Sequence, residues 1–82
     1  MEKMIGKITH YFPKIGVAVV KLEDNLNNGD EIRISGMHSD FRQMVVSMQI
    51  EHKTIVNATK GQDIGIKVTQ NVHEGDMIFK IE

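Results

Sequence analysis

Leu26-Asn27-Asn28-Gly29-Asp30-Glu31-Ile32-Arg33-Ile34-Ser35 sets a polar turn directly in front of a strand. Asn-Gly takes positive φ readily, and Asn and Asp side chains compete for nearby backbone amides, so a regular ladder is interrupted there. Behind the turn, Glu31–Ser35 alternates with Ile32 and Ile34 on one face, the period of two expected of a half-buried strand. The same form, apolar-x-x-Gly-Asp-x-apolar, returns in Val72-His73-Glu74-Gly75-Asp76-Met77-Ile78. In both copies glycine takes the turn angle, aspartate bonds backbone amides, and the aliphatic residue that follows enters the core.

Outward from these turns the chain keeps the same grammar. Segments rich in Ile, Val and Phe are short and end in Gly, Asn or Asp, and none carries the three-and-four apolar spacing of a helix over a useful length. Strands are predicted at Met4–Tyr11 and Val17–Leu22, as a hairpin turned by Pro13-Lys14-Ile15-Gly16. A long strand follows over Phe41–Ile50, where the adjacent Val45 and Val46 obscure the in-and-out phase and suggest a bulge. Thr54–Asn57 and Ile64–Val68 read as two further strands joined across Ala58-Thr59-Lys60-Gly61, and Met77–Ile81 closes the chain. Ile32, Ile34, Ile64, Ile66 and Ile78 are the predicted core. The expected fold is all-β, a small closed barrel of six or seven strands, because closure removes edges that would otherwise invite aggregation.

Composition sets limits on function. Eighty-two residues leave room for one domain, 1–82. Ten Lys or Arg against eleven Asp or Glu give a formal charge of −1, which removes the domain-wide basic excess of a strong nucleic-acid binder. Without cysteine there is no disulfide framework, thiolate metal site or cysteine nucleophile. Met1-Glu2-Lys3-Met4 does not begin a signal peptide, and the apolar run Ile15–Val20 is too short to span a bilayer, so no membrane role is expected and the cytoplasm is the expected compartment.

Residues that carry chemistry are sparse. His10, His38, His52 and His73 lack metal-ligand spacing. The glycines form neither a Walker pattern nor Gly-x-Gly-x-x-Gly, and no serine lies in Gly-x-Ser-x-Gly. Asp30, Asp63 and Asp76 adjoin turns, where capping explains them more economically than acid–base catalysis. No enzyme activity, metal or cofactor is expected. Two polar stretches stand out as a binding face: Gln49, Glu51, His52 and Lys53, and the turn with Asn57 and Lys60. Solvation alone also makes exposed strand and loop residues polar.

Gly6-Lys7-Ile8 near the start, the paired Gly-Asp turns and Ala58-Thr59-Lys60-Gly61-Gln62-Asp63-Ile64-Gly65-Ile66 together resemble the second, β-barrel domain of translational GTPases such as elongation factor Tu. Phe41–Ile50 looks closer still to stand-alone translation elongation factor-like proteins and to the C-terminal barrel of the collagenase-like peptidase family, which includes tRNA-hydroxylation enzymes. The resemblance implies a barrel that binds RNA, tRNA above all, or a protein that handles it. Carried onto this chain, the tRNA-end segment of that barrel falls on Gln49, Glu51, His52, Lys53, Asn57 and Lys60. The second implied role is a protein-interaction module, an accessory subunit of a larger peptidase-like or RNA-modifying enzyme. Overall acidity favours the second role and the resemblance favours the first.

Overall fold

Short alternating runs and turn residues produce a chain of strands and turns only. The computed structural model describes residues Met1–Glu82. In chain order the strands are β1 (Glu2–Phe12), β2 (Val17–Leu22), β3 (Leu26–Asn27), β4 (Glu31–Ser35), β5 (Asp40–Met44), β6 (Met48–Ile50), β7 (Lys53–Ile55), β8 (Asn57–Ala58), β9 (Asp63–Lys67) and β10 (Met77–Ile81). No helix is long and apolar enough to cross a membrane.

Eight of these strands form one sheet in the order β5-β4-β10-β1-β2-β9-β6-β7, while β3 and β8 pair separately. β1 is the longest strand and sits at the centre. Its register slips twice, between Met4 and Gly6 against β10 and between Ile8 and His10 against β2. Such bulges bend a strand and increase its twist, so β1 turns the sheet around the interior. One cluster fills that interior, drawn from Ile5, Ile8, Val20, Leu22 and Met48 together with the predicted Ile32, Ile34, Ile64, Ile66 and Ile78. None of those five isoleucines is more than 1% exposed. Each such side chain contributes about 1.5–3 kcal/mol through burial.

The structure corrects three expectations. First, Phe41–Ile50 is not one bulged strand but β5 and β6, because Val45 leaves the ladder to pair with the Gly29-Asp30 turn: its N–H donates to the Asp30 carbonyl at 2.9 Å and its carbonyl accepts from Gly29 at 2.8 Å. Val45 is therefore buried while Val46 is 67% exposed. Second, Thr54–Asn57 is not one strand, since the chain leaves the ladder at Val56 and divides into β7 and β8. β7 pairs with β6, β8 with β3, and β9 with β2 and β6. Third, no sheet closes into a barrel. β5 and β7 remain the ends of the main sheet, since β6 and β7 are only three residues long and residues 45–47 interrupt the ladder. A buried side chain takes the place of a ladder beside β5: Gln43 Nε2 donates to the Lys67 carbonyl at 2.8 Å and its Oε1 accepts from Thr69 N–H at 2.9 Å.

The two Gly-Asp turns are built alike, and a third joins them. In Asn27–Asp30, Thr59–Gln62 and His73–Asp76 the last N–H donates to the first carbonyl at 3.1–3.2 Å, and the last side chain accepts from the first N–H at 2.8–2.9 Å. The third residue is glycine at φ 91–93° in every case, a left-handed angle that disfavours a side chain. Each turn grips one buried residue at both polar groups: Val45 by Gly29 and Asp30, Leu22 by Gly61 and Gln62, Ile8 by Gly75 and Asp76. Gln62 stands where the other copies have Asp.

Candidate functional site

β2 supplies the unusual ingredient of the site. In an antiparallel sheet with one wet face, a strand normally alternates apolar and polar residues. Here Ala18 and Val20 enter the core, yet the outward Val17 and Val19 are aliphatic as well and only half-buried. The hairpin after β1 adds Phe12 and Ile15 on the same side, 45% and 59% exposed. Phe12 rests edge-on against His10, with ring centroids 4.4 Å apart.

The β2–β9 and β9–β6 registers place Gly65 opposite Val19 on one side and Gln49 on the other. Without a side chain there, the sheet surface has a gap: a Cβ on Gly65 would meet Val17 Cγ1 at 3.2 Å. The result is a shallow groove of about 340 Å3, open to solvent, floored by Gly65 and walled by the four apolar side chains. Gln49, Glu51, His52 and Asp63 form its polar rim.

Glu51 and His52 reach that rim through a strained connection. Ile50 pairs with Lys53, leaving Glu51-His52 as a two-residue hairpin loop, and both residues adopt positive φ, 50° and 66°. A turn of this kind suits Asn-Gly; for Glu and His the left-handed region costs about 1–2 kcal/mol per residue. Such strain clusters where function requires a particular side chain.

Of the six predicted binding residues, Gln49, Glu51 and His52 share the groove. Lys53, Asn57 and Lys60 do not. The β6–β7 register puts Thr54 beside Gln49 and turns Lys53, opposite Ile50, to the other face. Asn57 pairs with Asn27 in the small ladder, and Lys60 stands at the second position of the turn gripping Leu22. The apolar wall was not singled out as a site in the sequence, although two-sided apolarity in Val17-Ala18-Val19-Val20 was the signal that could have found it.

A second concavity, about 490 Å3, lies beside Met37, Met77 and Phe79 at the Gly75-Asp76 turn. Nearby, Ser39 Oγ is 3.5 Å and Asp76 Oδ2 is 3.9 Å from the same atom, His73 Nδ1. A nucleophile–base–acid relay needs the two ring nitrogens to face different partners, so this trio cannot act as one. His38 stacks near His73, with centroids 5.5 Å apart. No group of three or more His, Asp or Glu residues is disposed to hold a metal ion.

Comparison with known proteins relates this architecture to peptidases. No protein-family model matches the chain. An uncharacterised protease of Methanocaldococcus jannaschii is 35% identical over 79 residues, 95% of this chain and 19% of that protein. A Porphyromonas gingivalis protein named collagenase is 36% identical over 80 residues, again 95% of this chain and 22% of its own length. The chain thus spans about a fifth of the curated relatives it matches. Among solved structures, the C-terminal domain of a Geobacillus thermoleovorans protein described as a U32 peptidase superposes with a TM-score of 0.90 at 23% identity, covering 98% of this chain and 93% of that one. Its selenomethionine form gives 0.88, also at 23% identity, covering 93% and 96%. The collagenase-like side of the sequence resemblance fits these relatives, while the translation-factor side finds no support among them.

Proposed function

We propose that this chain is an accessory domain of a peptidase-like protein of the U32 and collagenase kind, a protein-binding module that contributes no catalytic residue. One observation carries the reading: nearly the whole chain matches about a fifth of much longer proteins named protease and collagenase, which leaves most of each relative outside the match. The solved C-terminal domain of the Geobacillus protein supports it, since its fold is covered almost end to end. Chemistry within the chain points the same way. The Ser39, His73 and Asp76 groups meet at one nitrogen, and the groove is lined by apolar side chains with a few polar groups at its edge, a lining suited to recognition.

RNA binding has less to stand on. Lys53 and Lys60 do not join His52 in the groove, and the net charge is −1. The test is recovery of the tagged full chain from its own cells, with protein and RNA both identified. A peptidase-like polypeptide is the expected companion. Retention of bulk tRNA without such a protein, or peptide hydrolysis by the purified chain alone, overturns the proposal.

A further inference from the structure

We infer that the groove between β2, β9 and β6 is where the module grips its protein partner, and that it takes an extended segment with an apolar side chain flanked by lysine or arginine. This rests on the accessory-domain reading and specifies its contact. The apolar requirement follows from the wall of Phe12, Ile15, Val17 and Val19 around the gap at Gly65, a place where one side chain fits and a large enclosed ligand does not. Two-sided apolarity in β2 has no role in the core, because Val17 and Val19 face away from it.

Charge selects the flanking residues. Glu51 and Asp63 bring carboxylates to the rim. The ammonium of Lys67, on the same strand as Gly65, is engaged by the Ile15 carbonyl at 2.7 Å and does not line the groove. Lys21 approaches Asp63 only to 3.9 Å. The rim therefore presents two carboxylates beside apolar walls, of which Asp63 has Lys21 within 4 Å and Glu51 has no such lysine, complementary to a basic and apolar peptide. The strained Glu51-His52 turn fits this role, since Asn-Gly would relieve the strain but remove the rim carboxylate.

The experiment selects a phage-displayed random dodecapeptide library against the immobilised full chain, then measures the enriched peptides by fluorescence anisotropy. Enriched sequences are expected to place Leu, Ile, Val, Met or Phe next to Lys or Arg. Ile15→Asp and Glu51→Lys, both at exposed turns, are each expected to weaken binding at least tenfold while leaving the melting temperature unchanged. Gly65→Ala, which fills the floor, is expected to weaken it as well. Absence of enrichment, selection of acidic peptides, affinity indifferent to Ile15→Asp, or competition by homopolymeric RNA at the same variants each overturns the groove. The two readings separate cleanly. Undiminished recovery of a peptidase-like companion by Ile15→Asp overturns the groove and leaves the accessory role standing, whereas groove-dependent peptide binding without any such companion overturns only the accessory role.

Discussion

Asp76 packs so closely over Gly36 that a Cβ added to the glycine would lie 1.9 Å from its carboxyl oxygen Oδ1. Asp76 is only 4% exposed and accepts from His73 N–H at 2.9 Å, so the Gly75-Asp76 turn and the Ser35–Ser39 connection are locked together. Gly36→Ala must push the carboxyl out of place and break that bond. The expected loss is about 2–4 kcal/mol, the sum of overpacking and a lost turn hydrogen bond. Urea unfolding measures it, and an unchanged midpoint would show that the turn can slide.

The three equivalent turns predict equal penalties. Around Gly29, Gly61 and Gly75 a Cβ would meet nothing within 4 Å, so substitution by alanine there carries a conformational cost without a clash. Each of the three variants is expected to lose about 1–2 kcal/mol. A spread much wider than that in chemical denaturation would mean the turns are not mechanically alike.

Relief of strain at the groove runs in the opposite direction. Replacing Glu51-His52 by Asn-Gly matches the positive φ of both positions and is expected to stabilise the protein by about 1–3 kcal/mol, read as a rise in melting temperature. The same variant loses the basic-peptide binding described above. A gain in stability with binding intact would separate the strain from any function.

Acid should loosen the molecule through its ion pairs. The Arg33 guanidinium, bonded to Asp40 at 2.8 and 3.1 Å, holds the Asp40 carboxyl below its ordinary value of 3.8. Lys3, hydrogen-bonded to Asp24, lowers that carboxyl likewise. A depressed carboxyl pKa stabilises the fold above the unfolded value and loses that contribution as pH falls through the folded one. Melting temperature is therefore expected to drop below about pH 4. Asp40→Asn should be less stable than the parent at pH 6, with the gap shrinking toward pH 2. Both pairs are exposed, so salt should also narrow it. A gap that widens on acidification would be the wrong sign.

Sequence periodicity reached β2 and β4 to the residue, because their inward aliphatics alternate without interruption, and β10 too, marked instead by the Gly75-Asp76 turn in front of it. It failed at Val45-Val46, where the partner is a turn rather than a strand and nothing local marks the switch. The likeness of the third turn to the other two escaped notice because Gln62 makes with one more methylene the bond that Asp30 and Asp76 make. Gln43 reads as an ordinary polar strand residue; its buried amide matters only because Lys67 and Thr69 come to it from far along the chain. At the site, the polar run Gln49, Glu51 and His52 was visible, but its apolar half comes from a different hairpin. That Lys53 lies on the other face from Gln49 could not be read, because the face a strand residue occupies depends on its register.

The gripping of Ile8, Leu22 and Val45 by the three turns bears on how slowly parts of the molecule exchange their protons with solvent. Turn amides ordinarily exchange by local fraying. Here Gly29, Gly61 and Gly75 donate to those three residues, whose own amides donate back at 2.8–3.0 Å. None of these amides can meet deuterium unless a turn lifts away from a buried side chain, since Ile8, Leu22 and Val45 are each 1% exposed. Three glycines in surface turns should thus keep their hydrogens about as long as the central strands do, and mark the last regions to open rather than the first.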